Sequence, residues 1–94
     1  MAYIDCYNAS QDVLLNQRVR VALAVYAQTV ATEPTTTTNH TARVALIGSV
    51  MGGVAQYADL FTVVAAANGI TSASADADIL TAVGDTWTAF AGNI

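Results

Sequence analysis

The stretch Val44–Ala65, VALIGSVMGGVAQYADLFTVVA, decides the fold class. Val44, Ile47, Met51, Val54, Ala58, Phe61 and Ala65 follow one another at alternating spacings of three and four, the repeat that stacks side chains on one face of an α-helix. A second row, Leu46, Val50, Gly53, Tyr57, Leu60 and Val64, runs beside the first, so this helix is expected to be buried on two sides. Gly52-Gly53 interrupts it. Each glycine costs about 1 kcal/mol relative to alanine inside a helix, and the pair implies either a kink or a break into two shorter helices. Asn68-Gly69 closes the segment with residues suited to a left-handed cap.

Working outward, the spacing of Leu15, Val19, Leu23, Tyr26 and Val30 predicts an earlier helix, with Asn16, Arg20 and Gln28 on other faces. Ser10 or Asn8 is the expected cap, Asp12 suits the positive helix end, and Glu33-Pro34 is the stop. Thr35–Thr38 reads as a loop, because β-branched residues beside a proline form helix poorly. The central helix is then expected to start near Asn39 or Thr41. A last helix is predicted from Ser74, with Asp76 and Asp78 in its first turn, an apolar stripe of Ile79, Val83, Trp87 and Phe90, and an end at Gly92-Asn93. Trp87 and Phe90 are read as core. Residues 1–9 read as an extended arm whose Tyr3, Ile4, Cys6 and Tyr7 are too apolar to lie in water; the arm is expected to reach a neighbouring subunit or larger partner, the alternative being that it packs back across the chain's own helices. The fold expected is all-α, one domain over residues 1–94, a compact bundle of three or four helices with that N-terminal arm.

A chain of 94 residues buries only about 60–65% of its extended surface and usually needs a disulfide, a metal or a partner. Cys6 is the only cysteine and His40 the only histidine, which leaves no intrachain disulfide and no Cys/His zinc site, and no metal or cofactor is expected. Apolar residues make up 54% and charged residues 11%, against about 25% charged in ordinary domains. Part of the apolar surface is therefore expected to lie in a contact with other subunits. There is no lysine, the three cations are Arg18, Arg20 and Arg43, and net charge is −4, which argues against a nucleic-acid binder or a peripheral protein on anionic membrane. The charge-free runs Val44–Ala58 and Leu60–Ala75 fall short of the ~20 apolar residues of a membrane span. The start, Met1–Asp5, lacks the basic segment of a signal peptide, so synthesis in the cytoplasm is expected.

Other motifs have bland readings. Asn8-Ala9-Ser10 and Asn39-His40-Thr41 match the N-glycosylation acceptor but are better explained as helix caps. Gly48-Ser49-Val50-Met51-Gly52 allows close approach of helix backbones, within the chain or between subunits. Cys6, among aromatic and apolar neighbours, reads as a small buried hydrophobe. A Cys6–His40 pair without a third orienting group is a weak signal for catalysis. Asp76 and Asp78, two apart, point in different directions on a helix. Any ion pair of the arginines, for example of Arg20 with Asp59 or Glu33, must be tertiary or reach another subunit.

The opening Met-Ala-Tyr-Ile-Asp-Cys-Tyr-Asn-Ala-Ser, then Gln17-Arg18-Val19-Arg20 in a helix and Asn39-His40 before a helix carrying Arg43, resembles small helical structural proteins from the head and neck gene clusters of tailed bacteriophages. The likeness covers the first half and fades after Gly52; the second helix here is less charged than is usual in such proteins. It implies a virion structural or head-completion role and no catalytic residue. The function expected is thus a non-enzymatic virion protein, made in the host cytoplasm and assembled in multiple copies on the capsid or at the head–tail junction. Its partners would be copies of itself or larger phage structural proteins, with Tyr3, Ile4, Tyr7, Gly48 and Gly52 as the partner-binding residues and no small-molecule substrate. The alternative is a soluble helical regulator that binds one partner protein through its apolar face.

Overall fold

A computed structural model of the chain describes residues 4–53 and 59–91. It is all-α, with no strand among the described residues. Among the described residues five helices follow in order: α1 (Ile4–Ser10), α2 (Val13–Thr32), α3 (Thr37–Met51), α4 (Leu60–Ala67) and α5 (Asp76–Ala91).

The expected stripes carry the core. Leu15, Val19 and Tyr26 of α2, Ile47 and Met51 of α3, Leu60 and Val64 of α4, and Ile79, Val83 and Trp87 of α5 are all buried in one cluster. Leu23, Val30, Val44, Phe61 and Phe90 pack half-buried around it, so Phe90 is at the margin of the core and not inside it. α2 packs most extensively on α3, its neighbour across the short Glu33–Thr36 connection, and α5 lies against α1, α2 and α4.

Residues 4–9 correct the expectation of an extended arm. They belong to α1, a seven-residue helix whose Cys6 and Ala9 are fully buried. A helix this short is unstable alone; burial of one face against the rest of the bundle is what holds it. The three- or four-helix count rises to five for the same reason and because α3 and α4 are separate helices. Ser10 does not cap α2. Its hydroxyl donates to the Tyr7 carbonyl inside α1, and Asp12 is the cap, its carboxylate accepting from the Leu15 N–H at 2.9 Å. α3 likewise begins earlier than the threonine run suggests. Thr36 Oγ1 accepts from the Asn39 N–H at 3.1 Å, and Thr37 is already helical. A good cap outweighs the poor intrinsic propensity of a few threonines.

α3 ends at Met51, where the Gly52 N–H donates to the Gly48 carbonyl at 2.9 Å. α4 ends as its sequence suggests. Gly69 takes φ +70°, the Ile70 N–H donates to the Ala65 carbonyl and the Gly69 N–H to that of Ala66. This is the paired hydrogen bonding of a left-handed helix stop, in which glycine avoids a Cβ clash.

Candidate functional site

Four side chains from three helices meet at one end of the bundle. Asp76, first residue of α5, is 7% exposed. Its Oδ2 accepts from Arg43 Nη1 at 2.7 Å. Its Oδ1 accepts from the Tyr26 hydroxyl at 2.6 Å and from His40 Nδ1 at 2.6 Å. Arg43 also reaches the end of α2: Nε donates to Thr29 Oγ1 at 3.0 Å and Nη2 to the Thr29 and Glu33 carbonyls at 2.8 and 3.3 Å. Those carbonyls lie where a helix runs out of internal donors and its dipole is negative. One guanidinium therefore caps α2 and neutralises the first carboxylate of α5.

The electrostatics follow from these partners. Burial alone raises the Asp76 carboxyl, but the hydrogen bonds from Tyr26, His40 and Arg43 outweigh it and hold the group below its ordinary value. Burial, and then the neighbouring carboxylate, push the Tyr26 phenol up, so it stays a donor. His40 is raised above its usual value, first by its bond to the Ser72 carbonyl and then by Asp76.

In the cluster the carboxylate, the phenol and both ring nitrogens are all engaged in hydrogen bonds within the chain. His40 Nε2, the atom a general base would present, donates to the Ser72 carbonyl at 2.9 Å. The ring's two bonds go to Asp76 and Ser72, not to Cys6. The Cys6 thiol is fully buried, and burial pushes it up to about 11, far from the thiolate a nucleophile needs. Among the described residues no group of three or more His, Cys, Asp or Glu could hold a metal ion, and no helix is long and apolar enough to cross a membrane.

The second feature is an open apolar groove between α2 and α3. Leu14, Arg18, Val21 and Val25 form one wall and Leu46 and Val50 the other, with Gln17, Ala22, Ser49 and Gly53 completing the lining. Leu14 is 56% exposed, Val21 63% and Val25 41%. Arg18 is the only charged residue among the described residues lining the groove. Leu46 and Val50, from the row expected to be buried on a second side, are only half-buried because this side of α3 opens into the groove.

Of the partner-binding residues read from the sequence, Tyr7, Gly48 and Gly52 do not gather here. Tyr3 lies outside the described residues, and Ile4 opens α1. Tyr7 is exposed, its ring set edge-on to Phe90 with centroids 6.0 Å apart. A Cβ placed on Gly48 would meet nothing within 4 Å, so no part of the described chain uses Gly48 for close backbone approach. Gly52 is the α3 cap. Tyr7, Gly48 and Gly52 are not among the residues lining the groove. Sequence reading missed the groove wall on α2, although Leu14, Val21 and Val25, seven and four apart, already form a second helical stripe.

Comparison with protein-family models, curated proteins and solved structures finds no match to this chain.

Proposed function

We propose that the chain is a non-enzymatic structural protein that assembles in multiple copies through the α2–α3 groove. The observation that carries this reading is the exposed run of Leu14, Val21 and Val25 facing Leu46 and Val50. Burying a large aliphatic side chain contributes about 1.5–3 kcal/mol. These three are about half covered already, so finishing the burial adds roughly 3 kcal/mol per copy. Association costs at least about 4 kcal/mol in lost rigid-body freedom. One such contact is weak, and an array in which each copy makes several contacts turns weak contacts into a stable assembly. The closed His40 and buried Cys6 support the non-enzymatic half of the reading.

The finer reading is a virion protein of a tailed bacteriophage, on the capsid or at the head–tail junction, with copies of itself or larger structural proteins as partners. It is supported by the resemblance of the first half of the chain. Two measurements test the two levels. Light scattering over a concentration series should show mass growing with concentration for the natural chain and a constant monomer for Val21→Asp. A monomer throughout for both overturns self-assembly. Mass spectrometry of purified particles should then find many copies per particle; their absence removes the virion assignment and leaves the regulator reading.

A further inference from the structure

The imidazole of His40 is held by two groups that only accept. Nδ1 is 2.6 Å from Asp76 Oδ1 and Nε2 is 2.9 Å from the Ser72 carbonyl oxygen. A carbonyl never donates. The Asp76 carboxylate already takes hydrogen bonds from Tyr26 and Arg43, which fix it in its ionised form. Both ring nitrogens must therefore carry hydrogen for both bonds to exist, so the geometry is that of the imidazolium. A neutral ring would set a lone pair against either the carboxylate or the carbonyl.

Of the charges around the ring, the Asp76 carboxylate in direct contact favours the imidazolium and the Arg43 guanidinium opposes it, the carboxylate prevailing. Asp76 comes from α5, Arg43 from α3 and the neutral Tyr26 phenol from α2, while Glu33 enters through its backbone carbonyl on Arg43. Two cations thus share one carboxylate, and the surplus positive charge lies at the negative end of the α2 dipole. Ser72 is in the turn between α4 and α5, whose own bonds are short-range: the Ser74 N–H to the Thr71 carbonyl, and the Ala73 N–H to Thr71 Oγ1. His40 is the side chain that ties this turn to α3.

We propose that His40 is a proton-held latch: as the imidazolium it bridges Asp76 and Ser72 and pins the α4–α5 turn to the start of α3, and on losing one proton it lets the turn go. This is independent of the assembly reading. The sign is that of a group bound more tightly when charged. The latch is fully closed below the ordinary histidine value and opens as pH rises through the higher value of the folded chain.

Because the chain has one histidine, the ring is observable without assignment ambiguity. Proton–nitrogen correlation spectra of the full chain, titrated from about pH 5 to about pH 9 across the histidine range, should show both nitrogens still protonated above 6.5, the ordinary value. In the same step, amide exchange at Ser74 should lose protection beyond the intrinsic effect of pH. His40→Gln should abolish that step. A midpoint at or below the ordinary value, or Ser74 protection that ignores the titration, overturns the latch. Either result is read on the natural chain, so a variant that fails to fold does not blunt the test.

Discussion

The indole N–H of Trp87 donates to Asn16 Oδ1 at 2.7 Å, a buried hydrogen bond between residues 71 positions apart. Asn16 Oδ1 also accepts from Arg20 Nε at 3.3 Å. Trp87 is the largest fully buried side chain, and its one polar atom is satisfied by a residue of another helix. Asn16→Leu should strand the indole N–H and cost about 1–3 kcal/mol, lowering Tm by roughly 4–8 °C per kcal/mol for a domain of this size. Trp87→Ala adds a cavity and should cost about 3–5 kcal/mol. Thermal melts followed by circular dichroism check both. An Asn16→Leu melt identical to the natural chain would show that the bond contributes nothing.

Arg43 and Asp76 form the buried ion pair that joins three helices; removing Arg43 leaves Asp76 with His40 and Tyr26 alone and strips the Thr29 and Glu33 carbonyls of their donor. Arg43→Met should cost about 3–5 kcal/mol. Arg43→Lys should recover little of this, because one ammonium cannot serve Asp76, Thr29 and Glu33 together. The acid side of the stability curve follows from Asp76. Its folded value is depressed, so its contribution is present above the ordinary carboxyl value of 3.8 and is lost as pH falls through the lower folded value. Acid unfolding of Asp76→Asn, compared with the natural chain, should lack that segment of the slope.

Cys6 is a built-in reporter of opening. With the thiol fully buried and raised to about 11, an aromatic disulfide reagent at neutral pH should modify it only as fast as α1 detaches or the chain unfolds. Labelling as fast as that of a free thiol would contradict the packing of α1. Deletion of residues 1–10 should lower Tm for the same reason, since Cys6, Ala9 and Ser10 all leave the core.

Gly48 and Gly84 sit inside helices with free space where a Cβ would be. Alanine at either should stabilise the monomer by about 0.5–1 kcal/mol. At Gly69, where φ is +70°, alanine should destabilise instead. If Gly48 meets another subunit, Gly48→Ala should raise Tm while weakening assembly. Paired melting and light-scattering measurements separate the two effects.

The apolar stripes of α2, α3 and α5, the stop at Glu33-Pro34 and the left-handed turn at Gly69 were legible in the sequence, because each depends on residues within a turn or two of one another. α1 was not. Nothing in IDCYNAS marks a helix locally, and tertiary burial of Cys6 and Ala9 makes it one. Asn16, placed by spacing away from the core, is buried because Trp87 needs an acceptor. Asp76 was legible as a favourable first-turn acid. Its bonds to Tyr26, His40 and Arg43, respectively 50, 36 and 33 positions away, have no local signature.

The first and last helices touch. Tyr7 meets Phe90 edge to face, and the Gln11 side chain donates to the Phe90 carbonyl at 2.7 Å. During translation this has a cost in time. By the end of α3 the chain holds Val19, Tyr26 and Ile47, but Ile79, Val83 and Trp87 of the same core lie 28 to 36 residues beyond Met51 and are not yet made. At about 5–20 residues per second, the growing chain spends roughly 1.4–7 s with its inner face open. A helix pair with an open apolar face can join its counterpart on a neighbouring ribosome of the same message. Growth conditions that slow elongation should therefore increase misassembly of this chain more than of a domain whose core closes helix by helix.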